Sequence, residues 1–208
     1  MAIYTLVDIN KMNLRTGDIL LFDERPYNAC AHCFDSLIKC WTHSKYSHSA
    51  IVLKDPKWLG VTQTCVWEST GFNGLDDIVD HRKKFGVQIQ NIDEYSRKFP
   101  GHIQAYVRRV SDQDHKKFTA SCLQEIRQTV KDAPYDIWPP DWVEVASGCG
   151  PKATDKRFWC SAFVGYILVR TGVLSEDTDW SALTCQSLSS QGTNILKTYG
   201  VDTPIYLN

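Results

Sequence analysis

A chain of 208 residues is long enough for one globular domain, and such a domain buries roughly 70% of its unfolded surface without a disulfide or metal staple. Apolar residues make up 43% and charged residues 23%, which excludes wholesale disorder. With 23 basic against 24 acidic side chains, the net charge is -1, and no basic surplus or stripe is present to grip nucleic acid.

The opening residues Met1 to Asp8 lack the basic start and apolar stretch of a signal peptide. No apolar run reaches the roughly 18 residues that a spanning helix needs. The eight cysteines, at 30, 33, 40, 65, 122, 149, 160 and 185, are therefore read as mostly reduced thiols of a cytoplasmic protein.

Gly17-Asp18 before Ile19-Leu20-Leu21-Phe22 reads as a turn entering a buried strand. Between Asn28 and Trp41 the residues Cys30, Cys33, Phe34, Leu37, Ile38 and Trp41 recur at helical spacing. His48 to Leu53 reads as a strand, and Thr62 to Glu68, rich in β-formers, as a second. Residues 70–84 read as a charged, glycine-bearing loop or short helix. Val87 to Ile92 and Ile103 to Arg109 read as short alternating strands. A helix is expected from Asp112 or Asp114 to about Lys131, with Phe118, Cys122, Ile126 and Val130 four apart. Prolines and glycines make 132–156 irregular. Phe158 to Thr171 is the clearest helix, with Phe163, Val164, Ile167 and Leu168 on one face and Gly172 as its stop. The tail from Ser175 reads as polar loop. No repeat or linker interrupts the chain, so one α+β domain over 1–208 is expected.

Three residues suit thiol chemistry. Cys160 falls at the start of the clearest helix, where free N–H groups and the helix dipole stabilise a thiolate and can receive an oxyanion. The bland reading is a small buried hydrophobe. His48 heads a strand and shares a face with Ala50 and Val52. Glu68 is a carboxylate among apolar strand residues. A symmetric hairpin centred on Trp58 sets Glu68 directly opposite His48, where it can hold the imidazole as the third member of a nucleophile–base–orienter set.

Cys30-Ala31-His32-Cys33, with Cys40 and His43, has ligand types that suit zinc. All of them fall in one expected helix, however, so core thiols are the reading adopted and no metal is expected. The run His81-Arg82-Lys83-Lys84 reads as a solvated face.

Four blocks together resemble a known family. They are Gly17 to Phe22, Tyr46 to Val52, Val66 to Ser69 and Phe158 to Val164. They are similar to the signature blocks of circularly permuted NlpC/p60-type cysteine hydrolases, YiiX-like branch, which has bacterial and poxvirus members. The resemblance implies a papain-like core: an antiparallel sheet packed on helices, with the nucleophile at a helix N-terminus. It also implies Cys160 as nucleophile, His48 as base and Glu68 as orienter. Tyr135, in Ala133-Pro134-Tyr135-Asp136, resembles a tyrosine near the oxyanion, although 24 residues separate it from Cys160. Where relatives most often have Glu or Gly two residues after the cysteine, this chain has Ala162.

The expected function is a thiol hydrolase of the peptidase or amidase type that works through an acyl-enzyme without a cofactor. The backbone N–H of Cys160 or Ser161 would bind the oxyanion. One alternative is acyl transfer or hydrolysis on lipids or thioesters, of the lecithin:retinol-acyltransferase-like kind. Another, of a different class, is a catalytically inactive binding module. The expected partners are a peptide, amide or acyl-lipid substrate and no nucleic acid, with peripheral membrane contact left open.

Overall fold

A computed structural model describes residues 13–24, 44–71, 74–98, 103–136, 156–192 and 195–206. Its centre is a six-stranded, wholly antiparallel sheet. The strands are β1 (Ile19–Glu24), β2 (His48–Leu53), β3 (Cys65–Thr70), β4 (Gly86–Asn91), β5 (Ile103–Arg108) and β6 (Thr203–Tyr206). Their order across the sheet is β4-β3-β2-β1-β5-β6. The helices are α1 (Ile92–Lys98), α2 (Asp112–His115), α3 (Ala120–Val130), α4 (Cys160–Arg170) and α5 (Cys185–Leu188).

Alternation along the strands divides the core into two layers. One face carries Ile19, Leu21, Ile51, Leu53, Trp67, Val87 and Ile89, which bury against Phe163, Val164 and Ile167 of α4 and Leu123 and Ile126 of α3. The other carries Leu20, Phe22, Ala50, Val52, Val66, Ala105, Val107 and Ile205, packed with Ile92 and Tyr95 of α1. With both faces covered, the central strands read as continuous apolar runs, not as alternating ones. Asp18, fully buried, ties the start of β1 to the residues that follow β5. Its carboxylate accepts from the Val110 N–H at 2.9 Å and from Arg109 Nη1 at 2.8 Å.

Helix α4 lies against β2 and β3 because almost its whole surface is apolar: Cys160 to Leu168 are all buried. Gly165 allows its close approach to the segment that follows. A Cβ at this position would lie 2.7 Å from Leu183 Cδ1 and 3.2 Å from the Trp180 carbonyl oxygen.

Several local expectations shift. Strand β3 begins at Cys65, three residues later than read from sequence, because Val61 to Thr64 complete the connection from β2. The single helix expected from Asp112 to Lys131 is two helices. Ser111 caps α2, and Thr119 caps α3 by accepting from the Cys122 N–H, so the chain restarts between them. Phe118 therefore precedes α3, whose buried stripe is Leu123, Ile126 and Val130. Helix α1 follows β4 where the sequence suggested only strand ending, with Asn91 Oδ1 accepting from the Asp93 N–H at 2.7 Å.

The tail from Ser175 is not a polar loop. It contains α5, a 3-10 turn at Trp180–Ala182 and strand β6. Arg108, almost fully buried, holds it in place by donating to the carbonyls of Leu188 (2.8 Å), Leu196 (2.9 Å) and Gly200 (2.9 Å). Burying a guanidinium is costly unless its donors are satisfied, and here the tail's own carbonyls satisfy them. The helix expected over 28–41 lies outside the described residues. Among the described residues, no helix is long and apolar enough to cross a membrane.

Candidate active site

Strands β2 and β3 pair in the register Ile51↔Trp67, Val52↔Val66 and Leu53↔Cys65. The hairpin is thus centred on Leu59, not on Trp58, and continuing the register sets Glu68 opposite Ala50. Moving the centre by one residue moves the partner by two, which preserves the face. Glu68 and His48 are therefore diagonal neighbours on one side of the sheet, within reach of long side chains. Their side chains meet, with His48 Nε2 2.6 Å from Glu68 Oε2. The His48 ring stacks on Phe22, its cross-strand neighbour in β1, with centroids 5.6 Å apart.

Glu68 is completely buried. Its second oxygen, Oε1, accepts from Gln88 Nε2 at 3.2 Å, and Gln88 stands directly opposite it on β4. Sequence reading did not single out Gln88. The available signal was the pair Gln88 and Gln90 in an alternating strand, which would ordinarily mark a solvent face but is buried here.

Cys160 is the first residue of α4, only 6% exposed, and its sulfur reaches the start of β2. Sγ lies 3.9 Å from the Ser47 carbonyl oxygen, and the Ser49 backbone N–H and the His48 ring lie close enough to influence its acidity. With Nε2 committed to Glu68, Nδ1 is the ring nitrogen left for sulfur. The Trp159 N-cap supplies no side-chain cap, so the first-turn N–H groups keep their positive end available for an anion. The segment leading into Cys160 is pinned by Ser69 Oγ, which donates to the Phe158 carbonyl at 2.7 Å, and by a parallel bridge between Tyr135 and Phe158.

The electrostatics follow from these contacts. The adjacent Cys185 thiol is the largest influence holding the Cys160 thiol well below its usual pKa near 9; burial opposes this, and His48 adds to it. For His48, burial by itself lowers the imidazolium pKa. The Glu68 carboxylate and the Cys160 sulfur outweigh burial and raise it well above 6.5. Both directions favour the charged thiolate–imidazolium pair over the neutral one.

Cys185 was counted in the sequence but not assigned to the site. It begins α5, and its Sγ is 4.0 Å from that of Cys160. Leu183 brings it there, since the Leu183 carbonyl accepts from Ser161 Oγ at 2.7 Å and from Trp159 Nε1 at 3.3 Å, the residues on either side of Cys160. No local pattern announces this, because the two thiols are 25 positions apart. The Ser161 hydroxyl is thereby engaged, which leaves its backbone N–H as the group suited to an oxyanion. Tyr135 sets its ring edge-on against Phe85, with centroids 5.9 Å apart, and its backbone bridges to Phe158.

Two other sequence readings resolve differently. The run 81–84 is not wholly a solvated face. Lys84 is half-buried, its ammonium between Asp80 and Asp77, 3.2 Å from the latter, while Arg82 pairs with Asp132 at 2.9 Å. The cleft beside them, about 420 Å³, is lined by Arg82, Lys83, Lys84, Lys131 and Asp132 among others, and none of Cys160, His48 and Glu68 lines it. Cys30, His32, Cys33, Cys40 and His43 lie outside the described residues. Among the described residues, no group of three or more His, Cys, Asp or Glu side chains is arranged to hold a metal ion.

No protein-family profile matches the chain, and no curated protein matches it. Among solved structures, the chain is similar to the metalloprotein YiiX from Escherichia coli O157:H7. The likeness covers 93% of this chain and 88% of that one, at 18% identity and a TM-score of 0.44.

Proposed function

We propose that this chain is a cysteine hydrolase of permuted papain-like type that cleaves an amide or peptide bond through an acyl-enzyme. The observation that carries the reading is the buried His48–Glu68 contact at 2.6 Å, beside a thiol seated at a helix start. The chain order His48, Glu68, Cys160 is that of the permuted branch which the sequence blocks resemble.

In this mechanism His48 holds the proton of the Cys160 thiol, and the thiolate sulfur attacks the substrate carbonyl carbon. The carbonyl oxygen becomes an oxyanion that receives the N–H groups of Cys160 or Ser161 at the start of α4. The tetrahedral centre collapses, the C–N bond breaks, and the His48 imidazolium gives its proton to the leaving amine. Water, deprotonated by His48, then attacks the thioester and frees the acid. Glu68, held by Gln88, fixes the imidazole's tautomer and orientation and offsets its charge during the cycle.

The test offers the full chain a peptidyl electrophile and a long-chain acyl electrophile in parallel, with adducts read by intact mass and peptide mapping. A peptidyl adduct on Cys160 that is absent from Cys160→Ala supports the reading. A preference for the acyl chain moves the substrate class to lipids or thioesters. No adduct with either probe leaves a binding module.

A further inference from the structure

We propose that Cys160 and Cys185 form a reversible dithiol–disulfide site that disarms the Cys160 nucleophile when the protein meets a hydroperoxide. The proposal rests on reading Cys160 as a reactive thiolate, not on any particular substrate. Its basis is geometric. The two sulfurs face one another at 4.0 Å, each on the first residue of a helix, and neither belongs to a disulfide.

A disulfide needs about 2.05 Å between sulfurs, so the pair must close by about 2 Å. Side-chain rotation supplies that movement more readily than backbone displacement. The backbone is held on both sides, by Leu183 against Trp159 and Ser161, and by Thr184, whose side chain and that of Ser187 cap each other's backbone at the start of α5. The other described thiols are differently placed. Cys65 donates to the Gln63 carbonyl and Cys122 to that of Arg170.

The chemistry balances with a hydroperoxide as oxidant. The Cys160 thiolate attacks one peroxide oxygen and the O–O bond breaks. Cys160 becomes a sulfenic acid, and the departing hydroxide (or alkoxide) takes the His48 proton to leave as water or alcohol. Cys185 sulfur then attacks the sulfenic sulfur, the S–O bond breaks, and the Cys185 proton leaves with the hydroxyl as a second water. Two thiols are oxidised by two electrons and one peroxide is reduced. An external dithiol reverses the bond by exchange. Without Cys185 the sulfenic acid has no adjacent thiol among the described residues and is exposed to further oxidation to the irreversible sulfinic acid.

The experiment treats the full wild-type chain at neutral pH with equimolar hydrogen peroxide, blocks remaining thiols with N-ethylmaleimide, and maps peptides without reduction. The expected result is a Cys160–Cys185 linked peptide lighter by two hydrogens, loss of Cys160 alkylation, and full recovery with dithiothreitol. Cys185→Ser should give no link and a Cys160 sulfinic acid that dithiothreitol does not restore. Circular dichroism of that variant checks its fold, although the wild-type result decides alone. The proposal is overturned if wild-type Cys160 goes to sulfinic acid, links to another cysteine or stays a free thiol. A chain that cross-links but takes neither electrophile overturns the hydrolase reading and leaves this site standing. One that takes an electrophile but does not cross-link does the reverse.

Discussion

Cys65 and Cys160 belong to the same apolar layer and are both buried, at 0% and 6% exposure, yet their acidities move in opposite directions. At Cys65 burial pushes the thiol up to about 12, and the charges of Asp55 and Asp77 push the same way. At Cys160 burial pushes up as well, but the Cys185 S–H, the His48 ring and the Ser49 N–H all stabilise the anion, and the thiol falls well below 9. Burial therefore does not decide whether a cysteine is inert. Donors and cations aimed at the sulfur decide it, and they are present at the helix start and absent from the strand.

The strongest way to break this contrast is to remove the cation. His48→Ala should lower the rate of Cys160 alkylation by iodoacetamide at neutral pH by about one to two orders of magnitude, toward the behaviour of Cys65. Peptide-resolved labelling measures both thiols in one sample, and an unchanged Cys160 rate would show that His48 does not support the thiolate. Cys160→Ala should abolish adduct formation with either electrophile.

Glu68→Gln keeps the shape of the side chain and its contact with the ring but deletes the charge. Turnover of whichever substrate the chain accepts should fall by about one to three orders of magnitude, with folding nearly unchanged. Because Glu68 raises the His48 pKa, its loss should bring the alkaline limb of the rate profile to lower pH. Wild-type turnover with an unmoved limb would remove Glu68 from the mechanism. A solvated, partnerless Glu68 is already inconsistent with its complete burial.

The pH profile sharpens the comparison without mutation. The Cys160 pKa is depressed, so its thiolate persists as pH drops from 9 and is lost only on passing through the folded-state value. The His48 pKa is raised, so the imidazolium persists above 6.5 and is lost only as pH rises through its own folded-state value. Labelling of Cys160 should therefore be strong at neutral pH, where Cys65 stays silent. Equal labelling of the two thiols from pH 6 to 8 would contradict the contrast.

Gly165→Ala perturbs the site from behind, because its new Cβ would press on Leu183 and the Trp180 carbonyl. It should cost about 1–3 kcal/mol by thermal unfolding. By displacing the segment that carries Cys185, it should also shift the onset of Cys160 labelling to higher pH. A loss of stability with no shift in onset would assign the Cys185 contact no role in the thiol's acidity. The smallest effect is expected from Cys65→Ala, about 1 kcal/mol of stability from lost burial, with Cys160 labelling unaltered.

Much of the sheet was legible because β1, β2, β4 and β5 are short apolar or alternating runs between turn residues, and their period is a local property. The start of α4 was legible for the same reason, since a polar loop gives way to an uninterrupted apolar helix at Cys160. The facing of His48 and Glu68 was anticipated as a face though not as a register. Face depends on whether the hairpin's centre falls on a residue or between two, and an error of a whole residue at the centre left that unchanged. The hidden parts are those that depend on distant partners. Gln88 looked like a solvent-facing residue but is buried opposite Glu68 of β3, and the tail looked like loop until Arg108 drew its carbonyls inward.

By itself the sequence determined the segments of β1, β2, β4, β5 and α4, the thiol at the start of α4, and which carboxylate shared a face with His48. Those outcomes depend on backbone periodicity and on the dipole of a single helix, both set within a few residues. Only the tertiary structure decided that Cys185 meets Cys160, that Gln88 holds Glu68, and that Lys84 is drawn between Asp77 and Asp80. These contacts join residues far apart in the chain through packing and desolvation. Their energies depend on what else is buried alongside, which no local pattern encodes.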